Sequence, residues 1–427
     1  MKILVIGLGK IGLPLAVYLA KNNQVIGLDN NTETVNLINA GLEPFPGERN
    51  LQEQLTQVIN AKNLIATTEN QDAIKSADVI IVCVPLIVNE KNMPDFRNID
   101  SVVLEIGKNI RVGTLVSFET TLPVGTTRDR FSRSIELTSK YQVGKDFYVV
   151  FSPERVLTGR IFEDLVKYPK LVGGVTESCT IKGEIFYKSV LDFTENKMLT
   201  DKQNVWALKN CETAEFAKIA ETTYRDVNIG LANEFAIYSK KKGIDFTEVI
   251  RASNSQPYSH IHSPGISVGG HCIPVYPYFY ITDNQDSSIV NSARLQNLLM
   301  PEFAINDIKE SITSLKGKRI GILGITYRPG VKEIAFSGAL ALLKLLKKEK
   351  AIVYGFDPYY SENEIIDLGF NYANNYKDLD GIIVHTAHSE FLEIDFNSIP
   401  TLEFLYDGRN FLHNYRYSQN KFIYLYI

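Results

Sequence analysis

Short apolar runs alternate along the chain with stretches in which apolar residues recur every three or four positions. Runs without polar alternation are typical of strands buried on both faces of a parallel sheet, and the second pattern is typical of amphipathic helices. In the first part of the chain the predicted strands are 2–6, 24–28, 78–84, 114–119, 147–151 and 170–173. This alternation predicts an α/β domain.

A different pattern occupies residues 204–242, which contain no proline and one glycine. The apolar spacing there predicts one long helix or a broken pair, and further helices are predicted at 246–253 and 288–315. A second α/β alternation follows, with predicted strands at 318–323, 351–356, 381–386 and 404–406 and a helix at 338–348.

The fold class is therefore α/β, with two Rossmann-like doubly wound domains joined by a long central helix. The predicted boundaries are 1–200 for the first domain, 201–315 for a central helical domain and 316–427 for the last domain. Such a division suits 427 residues, which exceed the size of a single core.

The first predicted strand leads directly into Gly7-Leu8-Gly9-Lys10-Ile11-Gly12, and the second strand ends at Asp29. Glycines at this spacing allow a tight turn whose backbone N–H groups reach a pyrophosphate at a helix N-terminus. Asp29 can accept hydrogen bonds from both ribose hydroxyls and would repel a 2′-phosphate. The segment predicts a dinucleotide site that prefers NAD to NADP.

Charge and cysteine content exclude several classes of protein. The net charge is −4, so no basic surface for nucleic acid is expected. The four cysteines form no CxxC motif, which argues against a zinc site or a disulfide framework and favours a reducing compartment. The longest apolar run, 79–88, is too short to span a membrane. We expect a cytoplasmic protein with no metal and no membrane partner.

The stretch 264–274 carries three glycines within six residues and a proline at each end. This composition predicts an ordered loop that approaches another group closely. The loop presents Cys272, which is either a nucleophilic thiol or, as free cysteines usually are, a small buried hydrophobe.

Other polar residues stand where strands end or share one helix face. Residues 120–127 and the pair Glu154 and Arg155 follow predicted strands, where doubly wound sheets bind ligands. Lys218, Arg225 and Thr222 lie three or four residues apart on the long helix. The simpler interpretation is turn chemistry for the hydroxyls and a solvated face for the cations.

A dinucleotide site, a presented cysteine, a strand-end glutamate and a helical lysine together suggest one chemistry. Oxidation of an alcohol gives an aldehyde, which a thiolate traps as a thiohemiacetal. A second oxidation gives a thioester, which water hydrolyses. Lys218 could stabilise each oxyanion, and Glu154 could activate the water.

Over essentially its whole length the chain resembles the NAD-dependent UDP-sugar 6-dehydrogenases. The markers are the segments 268–274 (VGGHCIP), 214–218 (AEFAK), 152–156 (SPERV), 225–229 (RDVNI), 232–234 (ANE) and 120–126 (TTLPVGT). The resemblance implies four-electron oxidation of the C6 hydroxyl of a UDP-sugar to a uronic acid, an NAD-binding first domain and a UDP-binding last domain. It also implies a homodimer formed through the central helix.

The resemblance assigns roles to particular residues. The catalytic residues it implies are Cys272, Lys218 and Glu154. The cofactor contacts it implies are Gly7, Gly9, Lys10, Ile11, Gly12, Asp29, Pro85 and Thr121. The substrate contacts it implies are Arg155, Val156, Lys218, Arg225, Gly265, Gly269, Arg328 and Arg409.

Some positions depart from the family pattern. Thr222 and Tyr276 replace an Asn and an Asp, while Leu86 and Ala335 replace a Thr and an Arg. The missing Asn and Asp leave open a nucleotide-sugar-binding protein that has lost turnover. A two-electron hydroxyacid dehydrogenase is a further alternative.

The sugar is also open. Arg155 can bond an amide carbonyl or a phosphate, unlike the Phe found in members that act on glucose. This favours UDP-N-acetylmannosamine, then UDP-N-acetylglucosamine, then UDP-glucose. Gln256 and Tyr258, which replace a His and an Arg just before the glycine-rich loop, argue against this ranking of substrates.

Overall fold

The computed structural model describes residues 1–193, 204–413, 415 and 422–427. The chain divides into two compact units, each described by itself. The first comprises Met1–Glu221 and Tyr278–Asp283, and the second comprises Thr222–Pro277 and Asn284–Ile427. Among the described residues, no helix is both long enough and apolar enough to cross a bilayer.

The first unit is built on a mostly parallel sheet whose described strands run in the order β10-β9-β8-β7-β4-β1-β2-β3. Among the described strands of this sheet, β8 and β9 pair antiparallel, and β5 and β6 form a separate antiparallel two-stranded ribbon. The strands are β1 (Lys2–Ile6), β2 (Gln24–Leu28), β3 (Leu64–Thr67), β4 (Val79–Val82), β5 (Ile87–Val88), β6 (Pro94–Asp95), β7 (Leu115–Phe118), β8 (Tyr148–Phe151), β9 (Lys170–Gly174) and β10 (Val205–Ala207).

Helices cover this sheet and shield its apolar strands, as a parallel sheet requires. Asn31 caps α2 by accepting from two backbone N–H groups of the first turn. The helices are α1 (Gly12–Ala20), α2 (Thr32–Asn39), α3 (Leu51–Asn60), α4 (Asn70–Ser76), α5 (Arg97–Asn109), α6 (Arg133–Ser139), α7 (Ile161–Asp164) and α8 (Glu177–Val190), with a π-helical turn at Thr126–Ser132.

The central segment is one continuous helix, α9 (Cys211–Lys242), of 32 residues. The prediction of a single long helix is confirmed, and the alternative of a broken pair is wrong. The smaller helices that follow are α10 (Phe246–Ser253), α11 (Pro277–Asp283) and α12 (Ser288–Ser311). Helix α12 ends four residues earlier than predicted because Ile312 is already extended.

The second unit carries a sheet whose described strands are all parallel, in the order β12-β11-β13-β14-β15. Its elements are β11 (Arg319–Leu323), α13 (Gly338–Lys348), β12 (Ile352–Phe356), α14 (Glu362–Asp367), β13 (Gly381–Val384), β14 (Phe404–Asp407) and β15 (Ile423–Tyr426). Two Rossmann-like sheets and a long helix confirm the predicted fold class. The predicted boundary at 200 lies outside the described residues, and the one at 315 stays a prediction.

A buried ion pair ties α9 to α12 within the second unit. The Arg294 guanidinium lies 2.8 Å from a carboxylate oxygen of Asp226, and both side chains are almost fully buried. Asn297 donates to the same oxygen of Asp226 at 2.8 Å and accepts a hydrogen bond from Asn233. Asn233 in turn accepts the backbone N–H of Gly265, so this network also anchors the glycine-rich loop.

Replacing Arg294 by methionine should therefore destabilise the second unit strongly. Removing one member of a buried pair leaves an uncompensated charge, so we expect a loss of about 3–5 kcal/mol in the free energy of unfolding. Urea unfolding followed by circular dichroism measures it. Arg251→Met is the matched control, because Arg251 forms only an exposed pair with Glu248; its loss should stay below about 0.5 kcal/mol. Equal losses of unfolding free energy in the two variants would contradict the stabilising role of the buried Asp226–Arg294 pair.

Candidate functional site

The carboxyl end of the first sheet gathers most of the residues predicted to bind cofactor. Strands β1, β4, β7 and β8 are parallel neighbours, so the loops that follow them emerge at one edge. These loops begin with Gly7, Cys83, Glu119 and Ser152. Strands β2 and β3 lie on one side of β1, whereas β4, β7 and β8 lie on the other side. The strand order therefore reverses between β1 and β4, and doubly wound sheets bind ligands at such a switch point.

The turn after β1 has the geometry of a dinucleotide cradle. Gly7 adopts a φ of 91°, which favours glycine, and a side chain at Gly12 would collide with the carbonyl oxygen of Gly7. A Cβ at Gly9 would meet only open space, so the backbone there is accessible to a bound group. Lys10 and Ile11, half-buried, complete the turn into α1.

Asp29 is held in place at the end of β2. One carboxylate oxygen accepts the backbone N–H of Leu8 at 2.8 Å, and the other accepts that of Asn31 at 2.9 Å. Each oxygen keeps a second lone pair for a ribose hydroxyl. The open glycine turn and this braced carboxylate fit the adenosine half of NAD.

The other residues predicted to touch NAD lie at the same sheet edge. Pro85 is exposed after β4, and Thr121 is buried after β7. The hydroxyl of Thr120 donates to the carbonyl of Val84 at 2.7 Å, which joins the two loops.

Glu154 follows β8 and belongs to a buried ionic cluster. One of its carboxylate oxygens lies 2.9 Å from the ammonium of Lys170, which also lies 2.7 Å from a carboxylate oxygen of Glu119. The hydroxyl of Tyr187 donates to Glu119 at 2.5 Å. Burial raises the pKa of Glu119 to about 8, whereas the Lys170 ammonium and a hydrogen bond from Glu119 outweigh burial and lower the pKa of Glu154. Glu154 is therefore the ionised member at neutral pH.

Sequence reasoning identified Glu154 but missed Lys170, Glu119 and Tyr187. The lysine was visible as the one charged residue inside the predicted strand 170–173. A lysine there is uncommon without a buried counter-charge, and this was the available signal. Tyr187, on α8, gave none.

Helix α9 carries one predicted substrate residue of the first unit, Lys218, and contacts another, Arg155. Arg155 Nε donates to Glu221 on α9 at 3.2 Å, and Lys218 lies almost one turn before Glu221 and is 7% exposed. Val156 is half-buried beside Arg155 in the chain. The same helix places Glu215 against the loop after β7, where it accepts from Gly125 and Thr127. Burial raises the pKa of Glu215 to about 7.

The glycine-rich loop of the second unit is held by its backbone. Gly270 donates to the carbonyl of Ala335 at 2.8 Å, and Ile266 donates to that of Gly408 at 3.2 Å. Gly270 has a φ of 93°, and a Cβ there would press on the ring of Tyr327. Cys272 is exposed at the end of this loop, whereas Cys179 and Cys211 are buried. The interpretation of Cys272 as a small buried hydrophobe is therefore wrong.

Arg409 connects this loop to the carboxyl end of the second sheet. Its guanidinium donates to the carbonyl of His385 at 2.9 Å and to the carbonyl and hydroxyl of Ser267 at 3.2 Å each. Burial lowers the pKa of His385 to about 3, so its ring is neutral and bonds Ser267 at 2.9 Å. Arg328 follows β11 at the same end of the sheet, with Nε donating to the hydroxyl of Tyr327 at 2.9 Å.

Several further predicted positions can be placed. Arg225 has a buried Nε without a hydrogen-bond partner among the described residues. Gly265 lies against the Arg409 side chain and Gly269 against Tyr327. Thr222 is fully buried and Tyr276 is half-buried.

The two units thus divide the predicted site. The first holds all the predicted cofactor residues together with Glu154, Arg155, Val156 and Lys218, and the second holds Arg225, Gly265, Gly269, Cys272, Arg328 and Arg409. In the part of the chain that the structure describes, no group of three or more His, Cys, Asp or Glu side chains is placed to hold a metal ion.

Comparison with known protein families matches three successive segments of the chain. Models of the UDP-glucose/GDP-mannose dehydrogenase family match the chain with its NAD-binding domain at residues 1–191, its central domain at 212–298 and its UDP-binding domain at 321–414.

Individual relatives cover nearly the whole chain. It is 33% identical to UDP-N-acetyl-D-mannosamine dehydrogenase of Pyrococcus horikoshii over 96% of both chains. It is 31% identical to the enzyme of that name from Campylobacter jejuni, over 93% of this chain and 98% of the relative. The solved structure of the Pyrococcus horikoshii UDP-D-ManNAc dehydrogenase superposes with a TM-score of 0.88 at 32% identity, over 100% of this chain and 99% of that one. The chain belongs to the UDP-glucose/GDP-mannose dehydrogenase family, whose NAD-binding and UDP-binding domains it carries.

Proposed function

We propose that this protein oxidises the C6 hydroxyl of UDP-N-acetyl-D-mannosamine to the uronic acid in two NAD-dependent steps. The observation that carries the proposal is the carboxyl edge of the first sheet. There the dinucleotide turn after β1 and the ionised Glu154 after β8 stand at the ends of strands of one parallel sheet. An oxidation site and a base for hydrolysis on one scaffold are what conversion of an alcohol to an acid requires.

Bound NAD supplies the hydride acceptor for both oxidations. Lys218 stabilises the oxyanions that form at C6 and moves protons to and from that oxygen. Cys272 adds to the aldehyde carbon as a thiolate and forms the thiohemiacetal, whose oxidation leaves a thioester on the same sulfur. Glu154 then takes a proton from water as the water attacks the thioester carbon, and the Cys272 thiolate leaves. These residue roles are part of the proposal.

The choice of sugar is supported by the relatives and by Arg155. The two relatives compared above carry the name UDP-N-acetyl-D-mannosamine dehydrogenase. The Arg155 guanidinium is held at α9 by Glu221, and its planar fork can bond an amide carbonyl. UDP-N-acetylglucosamine and UDP-glucose are the alternative substrates. The uronate would be a precursor for surface polysaccharide or glycan synthesis.

A second candidate is a nucleotide-sugar-binding protein that has lost turnover. Thr222 and Tyr276 stand where the family pattern has an Asn and an Asp. Both replacement side chains carry a hydroxyl that can donate and accept hydrogen bonds, which favours a reorganised hydrogen-bond network over loss of activity. Ala335 contributes its backbone carbonyl to Gly270, a bond that does not depend on the side chain.

The cytoplasmic location stays a prediction from cysteine usage.

We further propose that the chain forms a homodimer through α9. This helix exposes large apolar side chains at positions 216, 224, 231, 235 and 238, which recur at helical spacing on one face. An apolar stripe on a long helix is typical of a surface covered by another chain.

The first test of this function is a substrate panel. We expect kcat/KM, followed by NADH absorbance, to decrease from UDP-N-acetylmannosamine to UDP-N-acetylglucosamine to UDP-glucose. Arg155→Met should reduce the preference for N-acetyl sugars, because it removes the fork that recognises the amide. A kcat/KM for UDP-glucose above that for both N-acetyl sugars would overturn the substrate assignment. Binding of NAD and UDP-sugar by calorimetry without NADH formation would favour the non-catalytic candidate.

The second test concerns the nucleophile. The wild-type protein should release two NADH per uronate, whereas Cys272→Ser should stall after the first addition, with turnover reduced by roughly 10³-fold or more. Cys179→Ser is the matched control, because it makes the same thiol-to-hydroxyl change at a buried site on α8; it should keep its turnover. One NADH per product with an accumulating aldehyde would contradict the four-electron scheme. Full turnover in Cys272→Ser would support the two-electron hydroxyacid alternative.

The third test concerns assembly. Analytical ultracentrifugation of the wild-type protein should give a particle of twice the chain mass. Leu231→Glu, which places a charge at the centre of the apolar stripe, should shift it toward the single chain. Lys241→Glu, near the exposed end of α9, should not. A wild-type particle with the mass of one chain would refute the dimer.

A further inference from the structure

Three ionisable side chains, those of Glu154, Lys170 and Glu119, are buried together, as such groups rarely are. Lys170 is 5% exposed and Glu119 is 3% exposed, and the side chain of Glu154 is 10% exposed. Burying charges is costly unless each is paired, so their joint placement needs an explanation beyond packing.

The charges in the cluster balance only if one carboxyl holds a proton. Two carboxylates facing a single ammonium would leave one negative charge uncompensated in a dry site. Burial raises the pKa of Glu119 to about 8, whereas the Lys170 ammonium outweighs burial and lowers the pKa of Glu154, so the proton lies on Glu119. The stable state has Lys170 charged, Glu154 ionised and Glu119 protonated.

Hydrogen bonds hold this state in one arrangement. The Lys170 ammonium bridges both carboxyls, at 2.7 Å and 2.9 Å, and the second oxygen of Glu154 accepts the backbone N–H of Arg155 at 3.0 Å. Tyr187 donates to Glu119 and is itself 2.7 Å from the hydroxyl of Ser117 on β7. Three strands and α8 therefore fix the orientation of the Glu154 carboxylate.

Two neutral titratable groups of the described chain also face the cluster, Tyr187 and Cys83, and Cys83 follows β4. Burial, and then the charges of Glu119 and Glu154, raise the pKa of the Cys83 thiol well above its usual value. The pKa of the Tyr187 phenol is also raised well above its usual value, mainly by burial. Both groups are neutral at physiological pH, so the charge balance of the cluster is set by Lys170, Glu119 and Glu154.

We propose that Lys170 and Glu119 are positioning residues for the hydrolytic step, which keep Glu154 ionised and oriented as the base that activates water. This inference rests on the proposed function and deepens it. In the step concerned, a C–O bond forms between water and the thioester carbon and the C–S bond to Cys272 breaks. Glu154 takes the water proton, and no electrons are exchanged with a cofactor.

The cluster acts on this step because of its charge. Without the Lys170 ammonium, no cation offsets the negative charge of Glu154, so the pKa of this buried carboxyl rises and it takes up a proton. A protonated Glu154 cannot accept the proton of the attacking water. Arginine at position 170 would keep the cation and its donors. Methionine would keep the length of the side chain and lose both.

The test compares Lys170→Met, Lys170→Arg and the control Lys182→Met in single-turnover experiments with NAD and the UDP-sugar that the wild type uses best. Lys182 lies exposed on α8. We expect Lys170→Met to form two NADH per site at a near-normal rate and then to hydrolyse the thioester about 100-fold more slowly. Mass spectrometry of the intact protein should detect the acyl adduct on Cys272. Lys170→Arg should recover most of the hydrolysis rate, and Lys182→Met should match the wild type.

A second variant keeps the inference testable if Lys170→Met does not fold. Glu119→Gln preserves the size and hydrogen bonds of a protonated Glu119 but cannot ionise. The pKa of Glu119 is raised to about 8, so in the wild type its negative charge appears as pH rises through that value and competes with Glu154 for Lys170. The hydrolysis rate of the wild type should therefore change near pH 8. Glu119→Gln should keep the rate observed at pH 7, within about threefold, and lose that inflection.

The possible outcomes separate the inference from the proposed function. If the wild type turns over but Lys170→Met slows both oxidations equally and leaves no adduct, the positioning role is wrong and the function stands. An unchanged inflection near pH 8 in Glu119→Gln leads to the same conclusion. If the wild type oxidises no UDP-sugar, the proposed function fails, and the cluster loses its hydrolytic role with it.

Discussion

The arrangement of the first unit depends on one constraint, which is that neighbouring parallel strands end at the same edge of their sheet. Residues as far apart in sequence as Gly7, Thr121 and Glu154 meet at this edge because β1, β7 and β8 run in one direction. The same constraint acts in the second unit, where the segments after β11, β13 and β14 supply Arg328, His385 and Arg409. Ligand chemistry can be built at these edges because the loops there are free of the packing demands that fix the strands.

Charge burial is the second physical theme of the molecule. Glu154 is ionised at neutral pH although burial opposes its charge, because Lys170 is buried with it and Glu119 takes up the surplus proton. The Asp226–Arg294 pair solves the same problem in the second unit with amide donors from Asn297. In each case removing one partner is more damaging than never having had the pair, since the charge that remains cannot reach water.

Backbone contacts explain how the glycine-rich loop tolerates change at neighbouring positions. Gly270 bonds the carbonyl of Ala335, and Gly265 bonds the side chain of Asn233. The first bond survives any side chain at position 335 that leaves the backbone in place. The departure from the family pattern at Ala335 thus leaves this backbone bond in place.

The sequence by itself determined the fold class, the helical character of the central segment and the dinucleotide turn. These depend on local patterns: apolar runs for buried strands, helical spacing across 204–242, and glycines where a side chain would collide. Only the tertiary structure decided that Lys170 and Glu119 flank Glu154, that Tyr187 closes the cluster and that Cys272 is exposed. The cluster depends on contacts between residues 16 to 68 positions apart and on the water excluded from them, which no local periodicity encodes.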